Sequence, residues 1–179
     1  MKKHLKRREL LGLAAAAAGF VAAPAIAMPR LDSARTLAFH NVHTGEALDL
    51  VYWADGRYLP DAAQRIDYLL RDFRNDKVHA IDPKLLDLLV ELRRRLDTSE
   101  PYQIISGYRS PETNAMLRRR SERVAVNSLH IEGRAIDLRV PGRALTAVHR
   151  AALAIRAGGV GYYPRSDFVH VDVGRMRWW

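Results

Sequence analysis

The chain has 179 residues, 48% of them hydrophobic and 27% charged, with a formal net charge of +9 and no cysteine. That length supports one ordinary domain, and the composition is globular rather than disordered. The absence of cysteine excludes disulfide frameworks, every Cys-based zinc site and any Cys nucleophile, so a metal site would have to be built from His and carboxylate.

Taken in chain order, the first 27 residues read as a leader. A basic start is followed by an Ala-rich apolar run and the small-x-small ending Ala25-Ile26-Ala27, the layout of a cleaved signal peptide. Arg7-Arg8 just ahead of the apolar run point to the twin-arginine export route. Residues 28–34 are a linker and 35–179 a single domain. The leader holds five basic residues and one acid, so close to half of the net charge leaves with it, and the exported domain keeps a modest positive balance. Outside the cytoplasm that balance suits an anionic polymer such as a cell wall, not nucleic acid. After cleavage nothing in the domain calls for a membrane.

"RTLAFHNVHTGEALDLVYW" (35–53) predicts a β-hairpin around Thr44-Gly45-Glu46, and "ADGRY" adds another turn. Asp61 is placed to cap a helix running to about Phe73. Asp82-Pro83 is a cap followed by proline at the first helical position, and Leu85, Leu88, Leu89, Leu92 and Leu96 give that helix an apolar stripe. "YQIIS" (102–106) is a short strand. Ser110-Pro111-Glu112 opens a helix that ends in the Arg118–Arg120 run. "GRAIDLRV" is a strand, 142–159 a helix with a glycine stop, and "GVGYYP" and "DFVHVDVG" are two final strands about a turn at Pro164-Arg165-Ser166. Helices and antiparallel-looking strands, mixed and partly segregated, predict an α+β domain: a small antiparallel sheet packed against helices. Trp178 and Trp179 either close the core or line a saccharide groove.

Six histidines follow the leader. His149 reads as a surface residue and His79 as a loop histidine. His40 and His43 lie three apart on a strand, where side chains point to opposite faces, so they are poorly placed to share a metal. His170 is different. In "FVHVDV" Phe168, His170 and Asp172 share one face and Val169, Val171 and Val173 the other, an apolar face under a polar floor. His130 precedes a glycine bend into the strand carrying Asp137, a carboxylate set among Ala135, Ile136 and Leu138. His130, Asp137 and His170 would leave a fourth tetrahedral position open, the pattern of a catalytic zinc. The alternative is that Asp137 pairs with an arginine and both histidines are ordinary. Arg109, on the turn "SGYRSPETN" (106–114), is placed to hold a substrate carboxylate or carbonyl, or is a surface arginine beside a helix start. Asp167, three residues before His170, is placed as a general base, or is a turn aspartate.

"SLHIEGRAIDLRV" (128–140) resembles the S-x-H-x-x-G-x-A-x-D signature of the D-alanyl-D-alanine carboxypeptidase-like zinc peptidases, whose fold hedgehog domains share. "DFVHVDVG" resembles the second metal-ligand segment of that family. "SGYRSPETN", the C-terminal "GGVGYYPRSDFVHVDVGRMRWW" and the leader are similar to its YcbK-like murein endopeptidase branch. The likeness spans residues 35–179. It implies the hedgehog-type fold, Zn2+ held by His130, Asp137 and His170, and Arg109 orienting substrate or facing the oxyanion. It places Ser128 and Asp172 behind the ligands, where hydrogen bonds fix their geometry. Many relatives carry Glu where this chain has Asp167, so the base departs from the family pattern. The function implied is an exported zinc peptidase cutting peptidoglycan stem peptides, as murein endopeptidase or D,D-carboxypeptidase. Its rival is a non-catalytic zinc module of the same fold that binds the wall or a partner.

Overall fold

The computed structural model describes residues 34–121 and 124–179. The predicted leader and nearly all of the linker lie outside them. Among the described residues, no helix is long and apolar enough to cross a membrane.

Eight strands form one sheet: β1 Arg35–Asn41, β2 Ala47–Ala54, β3 Arg57–Tyr58, β4 Tyr102–Ser106, β5 Ala135–Arg139, β6 Gly159–Tyr163, β7 Phe168–Asp172 and β8 Arg177–Trp178. Four helices accompany it: α1 Pro60–Leu69, α2 Pro83–Arg95, α3 Pro111–Arg120 and α4 Leu145–Ile155. The strand order is β3-β2-β1-β4-β5-β7-β6-β8. The domain is α+β as predicted, but the sheet is larger than expected and not wholly antiparallel, since β1 joins β4 and β6 joins β8 in parallel.

Local chemistry explains most of the elements. The first hairpin turns where Gly45 takes a positive φ of 73°. At α2 the Asp82 carboxylate accepts from the Lys84 amide, and at α3 the Ser110 hydroxyl accepts from the Thr113 amide, each with proline at the first helical position. Asp61 does not cap α1: the cap position is Leu59, Pro60 starts the helix, and it stops at Leu69. Phe73 lies beyond its end, stacked on His43 with ring centroids 3.9 Å apart. Helix α4 ends on Arg156 in the left-handed region (φ 60°), two residues ahead of the first of the glycines expected to stop it.

The core lies on one face of the sheet. Ile104, Ile136, Leu138, Val160, Val169 and Val171 form one buried cluster with Ile66 and Leu69 of α1, Leu85, Leu89 and Leu92 of α2, and Val148 and Ala152 of α4. At about 1.5–3 kcal/mol for each fully buried aliphatic side chain, this layer fixes the sheet. Strand alternation then turns Ala135, Asp137 and Arg139 of β5 and His170 and Asp172 of β7 to the other face.

Candidate functional site

Antiparallel pairing sets Asp137 of β5 directly opposite His170 of β7. The third member arrives from a 3-10 turn, Leu129–Glu132, which carries His130. The turn ends at Gly133 with φ 65°, where a Cβ would run into the Ala80 carbonyl, so glycine alone fits the bend that delivers His130. His130, Asp137 and His170 are 3%, 6% and 7% exposed.

Their free donor atoms converge. His170 Nδ1 lies 2.8 Å from Asp137 Oδ1, and His130 Nε2 lies 3.2 Å from His170 Nδ1 and 3.3 Å from Asp137 Oδ1. A tetrahedral ion with ligands at about 2.0–2.1 Å sets its donors roughly 3.3 Å apart, so the triangle fits a divalent metal. The other ring nitrogens are committed. His130 Nδ1 donates to the Gly107 carbonyl at 2.7 Å, and His170 Nε2 donates to Asp172 Oδ2 at 3.1 Å. These bonds orient both rings and point the remaining nitrogen of each at the cluster.

Electrostatics match the geometry. Burial alone would raise Asp137, but the two histidines outweigh it and hold its carboxyl well below the usual range. Burial lowers His130 below its ordinary value. Burial would lower His170 too, yet Asp137 and Asp172 on either side carry it up to about 9, so a metal taking Nδ1 displaces a proton there.

Asp172 is fully buried and saturated. Its Oδ1 accepts from the Gly159 and Gly174 amides at 2.9 and 2.8 Å, and its Oδ2 accepts from Arg177 Nη2 at 2.7 Å besides His170. Burial would raise its pKa, but the bonds from His170, Gly159 and Gly174 carry it well below the ordinary value. Ser128 is buried, opens the His130 turn and lines the cavity.

Arg109 reaches the cluster from a pinned loop. Three successive amides are tied down: Tyr108 N to the Leu70 carbonyl (2.8 Å), Arg109 N to the His130 carbonyl (3.1 Å) and Ser110 N to Asp72 Oδ2 (2.9 Å). The Arg109 Nη2 sits 3.8 Å from Asp137 Oδ2, so the pairing read as the alternative to a metal is present, but long. Its other bonds, to Asn114 and Ser106, are 3.4 and 3.5 Å, and its buried Nε has no partner among the described residues. Such a guanidinium retains donors for a further acceptor.

The cluster and Arg109 border a cavity of about 540 Å³ that Trp179 also lines. Asp167 is not among the residues that line it. It sits at a left-handed turn position (φ 52°), largely exposed, with its carboxylate bonded to Arg139 Nη1 at 2.7 Å.

Among the described residues, the remaining histidines do not join the cluster. His43 packs on Phe73, and His79 stacks on Tyr108 at 4.8 Å. His149 is half-buried on Tyr162, not the surface residue expected. The tryptophans do not close the core: Trp178 and Trp179 are 70% and 48% exposed, and Trp179 lies over the site, 5.3 Å from His170. Arg177 and Tyr163 at the site are not singled out by the sequence, whereas Trp179 lines the cavity, as the groove alternative has it. The legible signal was "GVGYY", two glycines on one face of a strand, which marks a place where something lies close against the backbone. A Cβ at Gly159 would strike Asp172 and Arg177, and one at Gly161 would meet the Trp179 and Tyr163 rings.

Comparison with known proteins finds relatives along nearly the whole chain. The family profile described as peptidoglycan L,D-endopeptidase MepK matches residues 30–179. Peptidoglycan L,D-endopeptidase MepK of Escherichia coli strain K12 is 45% identical over 181 residues, covering 99% of both chains. The probable peptidoglycan L,D-endopeptidase MepK of Haemophilus influenzae is 41% identical over 176 residues, covering 97% of this chain and 95% of that one. The chain belongs to the MepK family of peptidases.

Proposed function

We propose that this protein is an exported zinc peptidase that hydrolyses L,D peptide crosslinks of peptidoglycan in cell-wall remodelling. The observation that carries the reading is the buried His130–Asp137–His170 triangle, with edges of 2.8–3.3 Å, at a cavity in a chain of the MepK family. Its relatives are named for the L,D bond, and the basic domain suits an anionic wall. Export by the twin-arginine route rests on Arg7-Arg8 and the Ala-x-Ala ending.

Zinc held by the three donors supplies a Lewis acid for the scissile carbonyl and lowers the pKa of water to about 7. Asp172 keeps the His170 ring oriented, and Gly107 does the same for His130. Arg109, short of acceptors, receives a stem-peptide carboxylate or the charge that develops on the carbonyl. Asp167 is the proton acceptor in this reading, and to serve it must release Arg139 and turn toward the cavity. That ion pair is the one observation favouring the rival, a wall-binding module that holds zinc without turnover.

Digestion of purified peptidoglycan by the exported domain, with and without chelator, decides between them. The peptidase yields new amine and carboxyl ends at L,D crosslinks that vanish with chelator and return with zinc. Asp167→Asn should then depress turnover while leaving zinc content unchanged. Intact sacculi beside a fully zinc-loaded protein would establish the binding module instead.

A further inference from the structure

Strand β6 sets Gly161 directly opposite His170 of β7, and alternation turns Gly161 and Tyr163 to the face carrying the cluster. With no side chain at Gly161, two rings lie close over its backbone: a Cβ there would come within 2.7 Å of Trp179 and 2.8 Å of Tyr163. The Tyr163 ring is held from two further sides. It stacks on Phe168 with centroids 4.5 Å apart, and its oxygen accepts from the Trp179 indole Nε1 at 2.7 Å.

Hydrogen-bond accounting sharpens the point. An indole N–H only donates, so the Tyr163 oxygen is the acceptor in that pair and its own proton is left for another partner. Among the described residues none accepts it. Accepting a bond also polarises the O–H and strengthens it as a donor. Tyr163 lines the same cavity as His130, Asp137 and Arg109, and is close enough to Arg109 for the two to interact electrostatically. No other phenol lines that cavity.

We propose that Tyr163 is a catalytic residue of the peptidase: its hydroxyl donates a hydrogen bond to the scissile carbonyl oxygen as negative charge gathers there, and Trp179 is the positioning residue that holds it. The step moves no proton; it adds a neutral donor to a site where Arg109 supplies a charged one. The inference rests on the peptidase reading and goes beyond the metal cluster, Arg109 and Asp167.

The test uses a soluble crosslinked muropeptide and the zinc-loaded exported domain. Cleavage by the unaltered protein is checked first; its absence breaks the peptidase reading and this proposal with it. Tyr163→Phe keeps the ring and its stacking while removing the donor. It should lower kcat about 10–100-fold, with KM, zinc content and Tm little changed. Trp179→Phe should lower kcat less, and the double variant should be no slower than Tyr163→Phe alone, because Trp179 acts through Tyr163. A phosphinate pseudopeptide, whose tetrahedral oxygens mimic the charged carbonyl, should bind more weakly to Tyr163→Phe by the factor lost in kcat/KM. A Tyr163→Phe variant whose kcat stays within about twofold of the parent overturns the proposal, as does one that raises KM alone.

Discussion

The two faces of β7 carry opposite kinds of information. Val169 and Val171 point into a cluster shared with α2 and α4, where many apolar side chains contribute similarly and volume matters more than identity. His170 and Asp172 point the other way, where each nitrogen and oxygen has a named partner. One five-residue strand thus holds a tolerant layer and an intolerant one, a single peptide unit apart. The apolar face makes the sheet; the polar face uses the sheet's register, since the Asp137–His170 pairing is a ladder position before it is an edge of the candidate metal cluster.

The sharpest way to separate the faces is His130→Ala. It should cut activity to background and abolish stoichiometric zinc binding, read by elemental analysis, while the circular dichroism spectrum stays that of the parent. Next in size, Asp172→Ala removes the partner of His170 and Arg177. It should weaken zinc binding about 10–100-fold in competition with a chromogenic chelator. On the other face, Val171→Ala should destabilise the fold by about 2 kcal/mol in urea titrations and leave zinc affinity unchanged. A shift of zinc affinity in that variant would mean the faces are coupled.

The smallest effect belongs to Asp72, a buried carboxylate outside the metal cluster. Burial would raise its pKa, but bonds from Thr113 and Ser110 hold it below its ordinary value. Its stabilisation is therefore complete above the unfolded value, about pH 4, and is lost as pH falls through the lower folded value. Asp72→Asn should be less stable than the parent by about 1 kcal/mol at pH 7, with the gap closing as pH falls through the lowered folded value. A gap constant with pH would remove the carboxylate's charge from the account.

What the sequence disclosed follows from how local each signal is. The hairpin, the caps at Asp82 and Ser110, and the alternation of "FVHVDV" are set by residues a few positions apart, and each is present as read. The clustering of His130, Asp137 and His170 was legible because the signature places His130 and Asp137 in one bend-and-strand unit. Elements fixed by distant partners were not legible. The parallel β1–β4 join depends on the two helices between those strands, and β8 is two residues long with no periodicity to reveal it. Asp61 looked like a cap because its type is right, yet Pro60 sets the start two residues earlier, with Leu59 at the cap position. The sequence leaves Trp179 between core and groove until the glycine face of β6 is seen beneath it.

The strap between two loops has a wider consequence. His130 donates to the carbonyl of Gly107, and the amide of Arg109 donates back to the carbonyl of His130. The bend that carries His130 and the loop that brings the guanidinium are laced together in both directions by the chain's own hydrogen bonds. On the proposed reading the protein works as a caliper with locked jaws: the span from the Arg109 guanidinium to the His130–Asp137–His170 cluster is set during folding, and a bound stem peptide would have to match it. Changing which bond is cut would mean re-spacing that strap, not repainting the walls of the cavity.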